Sequence, residues 1–347
     1  MSRLPAAASA EGKLRYDNLD GVRAYAAVGI VLMHVLSNGK YGLDGFVFDR
    51  LIPSFTDLVF LFMIVSGFAM CCGYYEKTVS GQLDLNKFYA KRFAKVWPFF
   101  TVLCVADFAM SPGLTTLYEL MADLTLCFGL LPDAHISVIG VGWFLGLVFV
   151  FYFMFPFFCS LLSNKKRAWF ALAVALLLSL LTTVRFGGER YHLGYSGVFF
   201  LTGGMIYLYR EPLHRFVERF GWVMVLLTAG ALGLYCWLGS CVPTQLLVCC
   251  VLAIGAIGKK NVIMNNPLTR MLSGVSMEIY LCHMMVFRVL EKLKLVRLFQ
   301  SELLSYVVTA AMTLVGAISM ALIINKLLSV VSSLLRKWKS GGKSNVR

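Results

Sequence analysis

Charge is scarce in this chain: Asp, Glu, Lys and Arg make up 14% of its 347 residues, against 59% hydrophobic residues and a mean hydropathy of +0.75. That balance excludes a soluble globule, in which about a quarter of the residues carry charge. Acidic residues are the scarcer kind, 18 against 32 basic ones, so the net charge is +14. The sequence also lacks any long polar stretch from which a second, soluble domain would be built. Its opening, MSRLPAAASAEGK, lacks the apolar core of a cleavable signal peptide, so the first hydrophobic segment is expected to stay in the mature protein. No CxxC pair occurs, and the ten Cys mostly sit inside apolar runs, adjacent at Cys71/Cys72 and Cys249/Cys250. They read as buried thiols, not as a disulfide framework or a metal site. No internal repeat is visible, which counts against a transporter built from two related halves.

What is present is a series of apolar runs of about 20 residues, each long enough to cross a bilayer as a helix. The expected fold is all-α: a polytopic integral membrane helical bundle of about ten transmembrane helices. The spans are placed at residues 22–37, 54–72, 96–111, 142–162, 168–184, 192–209, 220–238, 242–258, 272–290 and 303–326. Residues 1–21 form a cytoplasmic segment, 22–326 the membrane domain and 327–347 a basic cytoplasmic tail. The net positive charge invites a nucleic-acid partner, but its placement argues against one. With the N-terminus inside, 22 of the basic residues fall in inner segments and 7 in outer ones, the signature of the positive-inside rule, with both termini cytoplasmic. Residues 112–141 carry Glu119 and Asp123 four apart among apolar residues. That pattern suits an interfacial or re-entrant helix on the outer side.

Polar groups inside the apolar runs mark the candidate site, because at membrane depth they must face protein or water. In NLDGVRAYAAVGIVLMH (residues 18–34), Arg23 and His34 are eleven residues apart. At about 100° and 1.5 Å per residue they return to one helical face, about 16 Å apart. Asp20, one turn before Arg23, is placed to pair with it or cap the helix. VFLFMIVSGFAM (59–70) contributes Ser66 and Gly67, small residues that let helices approach closely. NKFYAKRFAKVWPFF (86–100) is expected as a cytoplasmic loop whose Lys91, Arg92 and Lys95 sit beside aromatics before Pro98. It reads either as ordinary positive-inside anchoring or as a cradle for a phosphate-rich ligand. Trp143 stands at the outer end of a span, where an interface anchor is the ordinary reading. In LSGVSMEIYLCHMMVF (272–287), Tyr280 and His283 share a face, Glu278 diverges from His283 by about 140°, and a buried Glu278 needs a partner such as an Arg or His from a neighbouring helix.

Taken in order, these stretches resemble the acyltransferase family 3 membrane proteins. The resemblance rests on the Arg-ten residues-His helix, the aromatic run ending in Ser-Gly-Phe, the basic residues three apart before Pro, the Trp-containing helix, and the late Ser276, Ile279, Tyr280, Leu281, His283 pattern. Two positions depart from the family pattern: Phe60 stands where an acid is common, with Asp57 the nearest carboxylate, and a Lys replaces the second Arg of the basic motif. No appended esterase-like domain is expected after residue 326.

The resemblance implies a multi-pass enzyme of the cell (inner) membrane that moves an acyl group, most often acetyl, from acyl-coenzyme A to a hydroxyl of a carbohydrate. Acetyl-coenzyme A is then a donor substrate docked by Lys91, Arg92 and Lys95, with no metal required. His34 is the expected general base, because a neutral imidazole can take the proton of a hydroxyl as it attacks a thioester. Arg23 holds ligand phosphate or orients the site, and His283 with Tyr280 binds acceptor or stabilises developing negative charge. Asp20, Ser66, Trp143 and Glu278 complete the expected set, and lipid and carbohydrate are the expected partners. A transporter or flippase of a lipid-linked sugar, or a catalytically inactive scaffold, are the readings from other classes.

Overall fold

A computed structural model describes residues 16–131 and 139–341, with the side chains of 335–341 left aside. Every described regular element is helical, and a helix stands at each of the ten expected spans. Numbered in chain order, α1 is Asn18–Gly39, α2 Leu58–Val79, α3 Leu85–Met110, α4 Leu114–Leu124, α5 Trp143–Leu162, α6 Lys165–Val184 and α7 Leu193–Leu208. They are followed by α8 Arg210–Arg219, α9 Gly221–Leu238, α10 Val242–Gly255, α11 Pro267–Gly274, α12 Ser276–Lys292 and α13 Glu302–Gly341. Helical turns from Val47 onward lead into α2, and seven helical stretches are long and apolar enough to cross a membrane. Helices α7, α10 and α12 stand at expected spans but are shorter, with 16, 14 and 17 residues. The chain is an all-α polytopic membrane protein.

Three boundaries differ from the hydropathy reading. The segment 86–95, expected as a loop, is helical, because Asp84 caps α3 by accepting from the Lys87 backbone N–H at 3.0 Å. Pro98 sits inside this continuous helix without ending it. At the far end, residues 327–341 continue α13 as helix. At 40 residues that helix is about 60 Å long, about twice the thickness of a hydrocarbon core. At the near end, α1 begins at Asn18, where the Asn18 side chain donates to the Gly258 and Lys259 carbonyls and accepts from the Asn261 N–H. Of the basic residues expected inside, Arg3, Lys13, Arg15, Lys343 and Arg347 lie outside the described residues. Helix α4, with 11 residues, is too short to cross, in keeping with an interfacial segment.

Helices α2 and α7 form the tightest seam. A Cβ on Gly203 would stand 2.1 Å from the Ile64 carbonyl oxygen, and one on Gly67 2.4 Å from that of Phe200, so only glycine fits either position. Ser66, one residue earlier, points about 100° away and serves the cavity described below. Around this centre α1, α2, α5, α7 and α12 bury their apolar sides, with Phe60 stacked on Phe199 at 4.2 Å and Phe151 on Phe200 at 4.4 Å. Helices α6 and α9 are peripheral and expose Trp169, Phe170, Trp222 and Trp237, an outward apolar face suited to lipid. A satisfied polar knot ties the start of α2 to α9 and α10: the Asp57 carboxylate accepts from Tyr235 and Ser240 at 2.6 Å each and from Gln245 at 3.2 Å. The ten Cys are free thiols.

Candidate active site

Helix α1 presents one face to two cavities in succession, and the side chain of Tyr280 lines both. The first, about 160 Å³, is walled by Arg23 from α1, Ser66 from α2, Arg92 and Lys95 from α3, Tyr152 from α5 and Glu278 from α12. The second, about 270 Å³, is walled by His34, Thr56, Trp143 and Arg190. Arg23 and His34 therefore share a face but serve different chambers. The Tyr280 hydroxyl donates to the Val141 carbonyl at 2.7 Å, which fixes the ring in the partition.

The first cavity is cationic. The Arg92 guanidinium lies 4.9 Å from the Tyr74 ring centroid, 5.5 Å from Tyr152 and 5.7 Å from Phe88. Three aromatic faces thus hold its plane, and its buried Nε has no hydrogen-bond partner among the described residues. A positioned guanidinium with an unused donor is suited to a phosphate or other anion. Lys95, one turn on, lines the same cavity, whereas Lys91 is exposed and outside it. Lys87 pairs with Asp84 at 2.9 Å. Of the expected basic cradle, the fold brings Arg92 and Lys95 to the site, adds Arg23 and leaves Lys91 out. Asp20 supports the rim by accepting from the Ser273 hydroxyl at 2.9 Å. Glu278 accepts from Asn325 at 3.5 Å and stands in the cavity wall with the cations, where their field offsets its charge.

One imidazole, that of His34, lines the second cavity, and a second, that of His283, packs against it. The His34 and His283 rings lie 5.0 Å apart, and His283 is fully buried behind His34. His283 Nδ1 sits 2.7 Å from the Tyr280 carbonyl and 3.2 Å from that of Ile279. Two carbonyls accept and cannot donate, so Nδ1 carries the hydrogen and Nε2 keeps a lone pair. That Nε2 is buried and without a hydrogen-bond partner among the described residues. With Tyr280 Oη committed to Val141 and His283 Nδ1 to backbone, neither offers a spare donor to a developing oxyanion. His283 Nε2 is instead an acceptor behind His34. Trp143 is half-buried and lines the cavity beside His34.

Tyr152, Arg190 and its partner Thr56 are wall residues that escaped the sequence reading. Tyr152 is hidden in the apolar run of α5, and its only signal is a hydroxyl-bearing ring among phenylalanines. Arg190, in the loop before α7, counts in sequence only as one of the outer basic residues. In the fold it donates to Thr56 Oγ1 at 2.6 Å and faces the His34 cavity.

No curated protein and no solved structure matches the chain significantly. The family model described as Acyltransferase domain matches residues 16–322 and so takes in every wall residue of both cavities. The chain is a membrane acyltransferase and belongs to acyltransferase family 3.

Proposed function

We propose that the protein transfers an acyl group, acetyl in the simplest case, from acyl-coenzyme A to a hydroxyl of a cell-surface or lipid-linked carbohydrate. The observation that carries this reading is the pair of cavities meeting at Tyr280, one lined by Arg23, Arg92 and Lys95 and the other by His34. Acyl-coenzyme A enters from the side of Arg92, which the charge distribution makes cytoplasmic, in the inner membrane of a cell. Arg23, Arg92 and Lys95 pair with its phosphates, and the aromatic rings around Arg92 offer faces for its base. Its pantetheine arm runs along α1 toward Tyr280. The sugar enters the opposite chamber, where Trp143 offers an apolar face to a ring and His34 a basic nitrogen.

His34 takes the proton of the attacking hydroxyl as its oxygen adds to the thioester carbonyl. Collapse of the tetrahedral species breaks the C–S bond, and the protonated His34 returns its proton to the departing thiolate. His283 Nε2 accepts a hydrogen bond from the rear N–H of His34 when the rings tilt into line, and so orients the base. Ser66 and Glu278 line the donor channel.

Radiolabelled acetyl-coenzyme A supplied to the purified protein in nanodiscs tests the activity. Labelled acetate or labelled glycoside is expected from the parent and neither from His34→Ala. Equal label release by both proteins would overturn the reading, as would transport of a glycoside with no consumption of the thioester.

A further inference from the structure

The outer chamber holds a cation that the chemistry above does not require. Arg190 stands on a short loop whose backbone is pinned on both sides: the Gly188 N–H donates to the Thr182 carbonyl at 2.8 Å, and the Ser196 hydroxyl to the Arg190 carbonyl at 2.5 Å. Its side chain is held by the 2.6 Å bond from Nη1 to Thr56 Oγ1. That bond uses one of the five guanidinium N–H groups. Among the described residues no acidic side chain lines the cavity, and no ion pair joins Arg190 to a carboxylate. Asp57, the nearby buried acid, accepts from Tyr235, Ser240 and Gln245 and makes no ion pair with Arg190. The guanidinium is therefore fixed, half-buried and without a counter-ion among the described residues, in a chamber shared with Trp143 and His34.

We propose that Arg190 makes this chamber selective for an anionic sugar, one bearing a carboxylate or a phosphate beside the hydroxyl that is acylated. The inference rests on the acyl-transfer reading for the reaction but stands on its own for binding. A planar, pre-positioned fork of donors matches a carboxylate or phosphate bidentately. A neutral sugar in the same place leaves the cation desolvated and unpaired, and that is the source of discrimination. Trp143 supplies an apolar face to either kind of sugar, so the charge alone separates them.

The test uses three probes on the full-length protein in nanodiscs: p-nitrophenyl glucuronide, glucose 1-phosphate and p-nitrophenyl glucoside. Transfer from acetyl-coenzyme A and direct binding by calorimetry are measured on each. The parent is expected to favour at least one anionic probe over the glucoside by about tenfold or more in kcat/KM and in affinity, the scale of one charge-assisted pair. Which anionic probe leads separates a carboxylate from a phosphate source. In Arg190→Gln the ratio is expected to fall to about one, and Arg190→Lys, which keeps the charge without the fork, to lie between. Equal binding of charged and neutral probes by the parent overturns the inference, and so does a ratio that survives in Arg190→Gln. Selective binding that Arg190→Gln abolishes, with no transfer to any probe, upholds the anionic site and removes the acyl-transfer reading instead.

Discussion

At the scale of single residues, the account turns on His34. Replacing it by Ala is expected to lower acyl transfer by about 10²- to 10⁴-fold, the range for losing a general base. His34→Gln keeps a hydrogen-bonding group without a basic lone pair and is expected to be nearly as slow. A Gln variant at the parent rate would make His34 a structural hydrogen-bonder. Arg92 and Lys91 give a paired prediction, because adjacent basic residues point to different places. Arg92→Ala removes a guanidinium held by three rings, and acyl-coenzyme A affinity is expected to weaken by about 1.5 to 3 kcal/mol. Lys91→Ala is expected to change it by less than about 0.5 kcal/mol, as for an exposed charge. Titration of the donor into each variant checks both. His34, Arg23, Arg92 and Tyr280 were legible because their type and spacing along the chain mark them. Arg190 and Tyr152 were not, because one looks like an ordinary outer-loop charge and the other like one more aromatic in an apolar run. Only the packing of the 185–192 loop against Thr56, and of α5 against α3, gives them their places.

At the scale of elements, the apolar runs located the helices but not their ends. Hydropathy registers where a helix meets lipid and is silent where it continues into water. Asp84 therefore starts α3 well before the apolar stretch, and α13 runs on through Gly341. The consequence is functional: as part of a helix, Arg92 and Lys95 lie one turn apart on a fixed face and reach the same cavity. The α2–α7 seam carries its own prediction. Gly203→Ala places a Cβ against the Ile64 carbonyl, where backbone and not a movable side chain must give way. Overpacking of this kind costs about 1 to 3 kcal/mol, so a lower thermal midpoint in detergent is expected. Gly230→Ala, with open space around the Cβ position, serves as the control. Equal midpoints for the two variants would show that the seam is not tightly packed.

At the scale of the whole molecule, two chambers adjoin at Tyr280. The all-α polytopic class was legible from composition alone, while the presence of two chambers was not, since it depends on how α1, α2, α5 and α12 converge. The positive-inside rule predicts that the Arg92 end is cytoplasmic. Cysteines introduced at Gly113 and Gly341 are expected to label from opposite faces, with impermeant reagent reaching Gly113 from outside. Labelling of both from one face would invert the parity of the spans. The central claim is that donor and acceptor reach the reacting centre from opposite ends of the bundle. Uniformly oriented proteoliposomes test it directly, with radiolabelled acetyl-coenzyme A confined to one face and p-nitrophenyl glucuronide to the other. Labelled glycoside is predicted when the donor is on the Arg92 face and the sugar on the Trp143 face, and not in the reverse arrangement. Product formed equally well with the donor on the Trp143 face would contradict the account.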